Sequence, residues 1–428
     1  MPLLETMAVL VVLAAAFGYV NHRFLHLPQT IGLLLAALVG SMAVLALETA
    51  FPNWGLATSV RHALELLDFS DVLLHGMLGF LLFAGSLHVN FASLYEARRS
   101  VLLLATVGVL LSTTLTGVGC WAILRLVGAD MPLRWCFVFG ALISPTDPIA
   151  VLGILKSVGA PKSLEIRVAG ESLFNDGVGV IVFTILLGFA AAGHANEHGG
   201  ASPGLMEIFL REVILGLLIG ISLGWLAYRA MCDLDEPHLE VLISMALVLG
   251  ILVVAQRLHS SSPLACVVAG LFIGNQGRSF AMAEPTRVAL DIVWEFVDEA
   301  LNAVLFLLIG FEVFLLEISG TTVTAGLLMI PMTLLARWLS TGIPVTLLRR
   351  KFAQPKGTVR VLTWGGLRGG ISVALALSLP DFPGRDVVWT MTYVIVVFSI
   401  VVQGLTVGPL LRAIVPAADM GTRPGEAQ

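Results

Sequence analysis

The chain has 428 residues, of which 57% are hydrophobic and only 12% are charged, and its mean hydropathy is +0.94. Soluble globular domains carry about 25% charged residues, so this composition excludes an ordinary soluble domain and predicts many membrane spans. The formal net charge of −5 is small for this length and gives no indication of a nucleic-acid partner.

Apolar segments recur along the whole chain, and a bilayer core requires about 20 such residues per helix. The predicted fold class is therefore an all-α polytopic membrane protein with about 13 transmembrane helices. The predicted spans are 3–20, 27–47, 70–91, 100–127, 132–157, 164–193, 204–232, 239–258, 263–278, 288–316, 322–349, 357–380 and 387–411. Residues 57–68 mix charges with leucines at helical spacing, which favours an amphipathic helix at the membrane surface.

Lys and Arg are distributed unequally between the two sides of these spans. With the N-terminus placed outside, sixteen of the 24 fall on the inner side and six on the outer side. The remaining two, Arg337 and Arg368, lie in the middle of spans 11 and 12. Because short basic loops stay in the cytoplasm, we expect a multi-pass protein of the plasma (inner) membrane, with its N-terminus outside and its C-terminus in the cytoplasm.

Two spans carry sequences that interrupt a helix. Span 5 contains Ser144-Pro145-Thr146-Asp147-Pro148, in which each proline removes a backbone donor and Asp147 with Pro148 suits the start of a new half-helix. Span 12 contains Gly365-Gly366-Leu367-Arg368-Gly369-Gly370. Spans seven apart run in opposite directions, so the pair predicts inverted repeats with two interrupted crossing helices and a binding site near the membrane centre.

Span 6 gathers polar residues along one side of an apolar helix. Glu171, Ser172, Asn175 and Asp176 share a face at helical spacing, and Gly179 on the same face allows a close neighbour. Ionisable residues inside a membrane helix are costly and mark functional sites. This face is the predicted ion site.

Two of the buried charges have an expected structural role. Glu171 requires a cation, and Arg337 fits better than Arg368 because spans 6 and 11 place Glu171 and Arg337 in the same half of the bilayer. Asp176 is then left without an exclusive partner, which favours a functional carboxylate.

Other polar residues keep two interpretations. Asp147 could serve only as a helix cap, and Asn175 could only bridge helices. A group of acidic residues opens span 10 and could draw cations towards the site, although a solvated face is favoured: Asp291, Glu295, Asp298 and Glu299.

Taken together, these motifs resemble those of the sodium/proton antiporters. Thr146-Asp147-Pro148, the Gly-Glu-Ser-Leu-Phe-Asn-Asp-Gly sequence at 170–177 and the Gly-Gly-Leu-Arg-Gly-Gly sequence at 365–370 are similar to the electroneutral branch with an Asn-Asp pair. That branch includes the NhaP-type prokaryotic exchangers and the animal sodium/proton exchangers. The resemblance extends over essentially the whole membrane region and implies the NhaA/NhaP-like fold.

The resemblance also implies a set of site residues. Asp176 would bind the cation or the proton, and Asp147, Ser172 and Thr146 would complete an oxygen-rich Na⁺ site. Asn175 would hold the crossing region together, Glu171 with Arg337 would form a buried ion pair, and Arg368 would have a supporting role. No cofactor is expected besides the transported Na⁺ and H⁺.

The implied assembly is a homodimer in the lipid bilayer. Residues 1–91 and 204–316 would form dimerisation and scaffold helices, residues 100–193 and 322–415 would form the moving core, and 416–428 would be a cytoplasmic tail. The chain departs from many relatives at Ala84, in Leu82-Phe83-Ala84-Gly85, where they carry an acidic residue. Any ligand from that position is missing, which leaves ion selectivity and affinity open.

The expected function is secondary active exchange of Na⁺, or Li⁺, for H⁺ by alternating access. Burial disfavours the ionised form of a carboxylate, so Asp176 can hold a proton or a hard cation, but not both. With Asn at position 175, one titrating charge per cycle predicts electroneutral 1:1 exchange.

Two alternatives to this function are retained. One is a K⁺/H⁺ antiporter of the same fold. The other is an intramembrane aspartyl protease using Asp147 and Asp176, although the Gly-x-Gly-Asp motif of such enzymes is absent.

Overall fold

The computed structural model describes residues 3–51, 55, 60, 72–147, 151–153, 155, 162–195, 210–314, 316, 319–348 and 357–414. Within these residues the regular secondary structure is helical, apart from one antiparallel bridge between Asp147 and Leu367. The predicted surface helix at 57–68 and the tail at 416–428 lie outside the described residues, except for Val60.

The first half of the chain forms seven long helices, several of which contain a π-helical turn. Helix α1 (Leu3–Val20) continues through a π turn at Asn21–Leu25 and is followed by α2 (Gln29–Ala50). The next helices are α3 (Leu78–Leu87, after a π turn at Leu73–Met77), α4 (Phe91–Leu103), α5 (Val109–Val127, after a π turn at Leu104–Gly108), α6 (Leu133–Ile143) and α7 (Lys162–Ala195).

The second half repeats this pattern of long helices and one interrupted span. Its helices are α8 (Gly216–Met231, after a π turn at Leu210–Leu215), α9 (Pro237–Leu258), α10 (Ser262–Phe272, followed by turns at Ile273–Gly277 and Arg278–Phe280), α11 (Glu284–Phe311, followed by a 3₁₀ turn at Glu312–Phe314), α12 (Gly320–Leu348), α13 (Thr358–Trp364), α14 (Gly370–Leu377), α15 (Arg385–Phe398, followed by a π turn at Ser399–Gln403) and α16 (Gly404–Ile414).

Each predicted span has a helix at its position, so the predicted all-α polytopic fold is confirmed. Eight helices of the described chain are by themselves long and apolar enough to cross a bilayer. The remaining spans are the interrupted ones, those with short helices and α11, whose N-terminal half is acidic. The helix of the fourth span begins before the span itself, because α4 starts at Phe91 and the apolar part runs from Arg98 to Val127.

Both predicted helix interruptions are present. Helix α6 ends at Ile143, the chain then runs without helical structure to Asp147, and residues 151–153 are helical again. In the other repeat α13 ends at Trp364, and α14 begins at Gly370. The two non-helical segments lie in the interior of their spans, and they cross each other at the bridge between Asp147 and Leu367.

Several apolar clusters hold the helices in place. One joins α5, α6 and α7 with α12, α14 and α15, and another joins the end of α4, α7, α12, α13 and α16. A third joins α3 with α8 to α11, away from the crossing. The interrupted segments are therefore enclosed mainly by α5, α7, α12 and α15, and α11 with α3 packs against them from the other side.

Candidate ion-binding site

The site is built on the crossing of the two interrupted helices. The backbone N–H of Asp147 donates to the carbonyl of Leu367 over 2.8 Å, which satisfies two groups that helix breaking would otherwise leave unpaired. Glycine at 369 permits this approach, because a Cβ there would lie 2.7 Å from Cβ of Asp147. The glycine-rich motif of span 12 thus provides room for the first crossing segment.

Helix α7 presents its predicted polar face to this crossing. Glu171, Ser172, Asn175 and Asp176 are all buried, and Asp176 has only 4% of its surface exposed. Gly179 packs against the ring of Pro145, where a Cβ would lie 2.6 Å from Cγ. The polar face therefore meets the Ser144–Asp147 segment, which is the close neighbour that Gly179 allows.

Hydroxyl and amide groups join α7 to the crossing segment. The Ser172 hydroxyl donates to the carbonyl of Thr146 over 2.5 Å and lies 3.0 Å from the Thr146 hydroxyl. The Asn175 amide donates to the Thr146 hydroxyl at 3.1 Å and to the Ser144 carbonyl at 3.4 Å. These bonds fix oxygen atoms of Thr146 and Ser172 within one small region.

The two buried arginines have different partners. Arg337 forms a two-pronged ion pair with Glu171, with Nη1 2.7 Å from Oε1 and Nη2 2.9 Å from Oε2. Arg368 instead donates from Nη1 to the carbonyls of Ser144 at 2.5 Å and Pro145 at 2.9 Å. Carbonyls at a helix C-terminus carry partial negative charge, so Arg368 stabilises the broken end of α6.

The carboxylate of Asp176 is left without an ion-pair partner among the described residues. The backbone N–H of Thr146 donates to this carboxylate, but Oδ1 is buried and has no hydrogen-bond partner within the described chain. Glu171 occupies Arg337, and the Nη1 contacts of Arg368 are to carbonyls. A carboxylate oxygen in this situation is suited to bind a proton or a cation.

The charges of this region nearly cancel. Three carboxylates (Asp147, Glu171 and Asp176) lie close to two guanidinium groups (Arg337 and Arg368), and each carboxylate acts electrostatically on at least one other member of the set. With all five groups ionised, the site carries one net negative charge. One bound monovalent cation or one proton therefore makes it neutral.

A cavity of about 550 Å³ leads to Asp176. Thr146 and Asp147 line it, together with Gly369, Gly370 and Ser372 from the second interrupted helix. A stripe of α11 also lines it, at spacings of three or four residues: Asp291, Glu295, Asp298, Asn302 and Leu305. Glu295 is exposed and Asp291 partly exposed, so the cavity reaches the surface near the start of α11.

Some of these residues were not anticipated from the sequence. For Asp291, Glu295 and Asp298 the sequence favours a solvated face over a role in drawing cations; they line the cavity together with Asn302, and Glu295 is exposed as well. Ser372 lines it from α14, with 1% exposure and no partner for its hydroxyl among the described residues. The sequence predicts the helical spacing of the α11 residues, but it does not predict which helices this stripe lies against. Asn175, Ser172, Thr146 and Asp147 are all brought together, as their motifs suggested.

A many-span helical protein with two crossed, interrupted helices and a buried acidic residue at their centre is a membrane transporter by class. The chain matches the sodium/hydrogen exchanger transmembrane family over residues 10–413. It belongs to this family.

Relatives resemble the chain along nearly its whole length. The Na⁺/H⁺ antiporter NhaP of Pseudomonas aeruginosa is 45% identical over 417 residues, which cover 96% of this chain and 97% of that protein. The Na⁺/H⁺ antiporter NhaH of Halobacillus dabanensis is 34% identical over 398 residues, covering 91% and 93%. The sodium proton antiporter MjNhaP1 of Methanocaldococcus jannaschii, solved at pH 8, has the same fold, with a TM-score of 0.75, 17% identity and coverage of 97% and 99%.

Proposed function

We propose that the protein exchanges Na⁺ for H⁺ across the membrane, with the two ions competing for Asp176. The proposal is carried by one observation: a buried carboxylate, on the wall of a cavity, that forms an ion pair with no cationic side chain of the described residues. Membership of the sodium/hydrogen exchanger family and relatives named Na⁺/H⁺ antiporters support the choice of ions.

The ligands of the cation would come from three neighbouring residues besides Asp176. The hydroxyls of Ser172 and Thr146 lie 3.0 Å apart, and Asp147 follows directly on the cavity wall. Hard cations prefer carboxylate, hydroxyl and carbonyl oxygens. Asn175 would hold these groups in position through its bond to Thr146, without ligating the ion itself.

We also propose how exchange is enforced. With Asp176 ionised and empty, a net negative charge would have to move through the low-dielectric interior, which is costly. Neutralisation by one Na⁺ or one H⁺ removes that cost. If the helices that hold the site move only when Asp176 has bound Na⁺ or H⁺, one Na⁺ is exchanged for one H⁺ and no net charge crosses the membrane.

The moving part would be the helices that hold the site. Two apolar clusters lie within α4 to α7 and α12 to α16, and a third lies within α3 and α8 to α11, which supports a core and a scaffold. Two further clusters form the contact between these groups: one joins α1, α2 and α11 with α14 and α15, and the other joins α3 and α10 with α7. We place the N-terminus outside because of the Lys and Arg distribution. With this orientation the cavity opens to the cytoplasm.

We propose a homodimer through the scaffold. Cross-linking of the purified protein in liposomes would test this, and the detection of monomers only would contradict it.

The decisive experiment replaces Asp176. Asp176→Asn keeps the size of the side chain and one acceptor oxygen, so we expect a folded protein without Na⁺-dependent proton movement in proteoliposomes. In the unchanged protein, the apparent KM for Na⁺ should rise as pH falls, by at most about tenfold per unit, because one proton competes with one cation. Retained pH-dependent transport in Asp176→Asn would refute the assignment.

The same proteoliposomes can test whether the protein transports Na⁺ or K⁺. Exchange should occur with Na⁺ and Li⁺. The matched control for Asp176→Asn is Glu165→Gln, which replaces a partly buried carboxylate at the start of α7 and should keep activity. Transport of K⁺ at the rate of Na⁺ would favour a K⁺/H⁺ antiporter instead.

A further inference from the structure

The α11 wall of the cavity contains a polar pair that the exchange cycle does not use. The Asn302 amide donates to the carbonyl of Asp298 at 2.8 Å and to its Oδ1 at 3.1 Å. Asn302 has only 2% of its surface exposed, and its own Oδ1 has no hydrogen-bond partner in the described chain. A buried amide oxygen on a cavity wall is costly unless a ligand or water satisfies it.

Asp298 is also without a cationic partner. Nearer the mouth, Asp291 is bound by Arg278 and lies 3.2 Å from Nε2 of His88. No Lys, Arg or His of the described chain forms such a contact with Asp298, whose electrostatic neighbours include Asp147, Glu295 and Glu299. The pair therefore combines a carboxylate and an amide oxygen in a region of negative potential.

The residues that α3 contributes to the cavity wall provide no side-chain oxygen. Among them are Ala84 and Gly85. The carboxylates of Asp147 and Asp298, in contrast, both line it and repel each other. A cation between them would relieve this repulsion.

We propose that Asp298 and Asn302 form a second cation site, occupied by a hard monovalent cation such as Na⁺ before it reaches Asp176. The site lies on α11, outside the helices that carry Asp176 and Asp147. The inference rests on the proposed function only for the identity of the cation. The role of the second site is to raise the local cation concentration at the cytoplasmic end of the ion pathway.

Binding can be measured without transport. In purified Asp176→Asn protein, addition of NaCl should raise the melting temperature above that reached with choline chloride at the same ionic strength. The double variant Asp176→Asn/Asp298→Asn should lose this difference, and so should Asp176→Asn/Asn302→Leu. Asp176→Asn/Glu299→Gln changes the neighbouring exposed carboxylate, which does not line the cavity, and should keep it.

Two results would overturn the second site. One is the absence of a Na⁺-specific shift in Asp176→Asn. The other is an equal shift with and without the Asp298 carboxylate. Neither result depends on exchange, so failure of the second site and failure of the proposed function are distinguishable.

Kinetics provide a second readout in the protein with Asp176 intact. Asp298→Asn should raise the apparent KM for Na⁺ about tenfold with an almost unchanged maximal rate, as expected for the loss of one partly solvated charge contact. In everted vesicles the cytoplasmic face of the protein contacts the external medium. The rise in the apparent KM should therefore appear for Na⁺ added to that medium and not for Na⁺ inside the vesicles. A fall in maximal rate without a change in KM, or an equal effect from both faces, would indicate a structural role and contradict the site.

Discussion

Arg337 and Arg368 are both buried in the region of Asp176, and neither forms an ion pair with it among the described contacts. The reason lies in the partners that the arginines already have: Arg337 is bound to Glu171, and Arg368 to the carbonyls of Ser144 and Pro145. A buried cation with satisfied hydrogen bonds has little to gain from a further partner. The free carboxylate thus depends on how the other four groups are paired.

The pairing of Glu171 with Arg337 gives a stability prediction. Glu171→Gln or Arg337→Met alone should lower the free energy of unfolding by about 3–5 kcal/mol, because each leaves a charge buried at 5% exposure or less without its partner. The measurement is thermal or denaturant unfolding in detergent.

The double variant Glu171→Gln/Arg337→Met tests the cause. It removes both charges, so it should unfold at a higher temperature than the Arg337→Met single variant. Additive losses would show that the two side chains act independently and contradict the ion pair.

At the scale of helices, the crossing depends on Arg368. Helix α6 ends in the membrane, and its last carbonyls would be unpaired without the Arg368 guanidinium. The backbone N–H of Arg368 also donates to the Ser399 hydroxyl over 2.9 Å, which fixes the second crossing segment against α15 and its π turn. One residue therefore stabilises both broken helices.

Replacing this arginine should damage fold and transport together. Arg368→Gln is expected to lower the melting temperature and abolish exchange, because unpaired buried carbonyls cost about 1–3 kcal/mol each. Arg360→Gln, an exposed position of α13, is the matched control and should change neither property. Full exchange by Arg368→Gln at wild-type melting temperature would show that the carbonyls need no cation.

Local sequence was sufficient to predict both interruptions but not their contacts. Pro145, Pro148 and the glycines of span 12 act within their own helices, so their effect can be inferred without tertiary structure. The partner of Arg368 and the orientation of Asn302 depend on how distant helices pack. The sequence of α11 does not decide between a solvated face and a cavity wall for the same reason, since the two have the same helical spacing.

For the whole molecule, the charge of the site determines its response to voltage. One net negative charge is cancelled by either ion, so neither direction of movement carries net charge. We therefore expect exchange in proteoliposomes to follow the Na⁺ and H⁺ gradients and to be unchanged when K⁺ and valinomycin impose a membrane potential.

The control for this measurement is the potential itself, recorded with a voltage-sensitive dye in the same vesicles. A rate that increases with the imposed potential would mean that more than one proton is exchanged for each Na⁺. In that case Asp147 would be the first residue to examine as a second proton carrier, because it shares the cavity with Asp176.

The backbone bond between Asp147 and Leu367 has a consequence for reversibility. It ties the two unwound segments together, and Thr146 is further bound to α7 through Ser172 and Asn175. A bound ion would keep the same coordination shell whichever solution it faces, so its dissociation constants on the two faces would be nearly equal. Only residues of α11 would make them differ, so a carrier without these residues would saturate with sodium at similar concentrations in both directions of exchange.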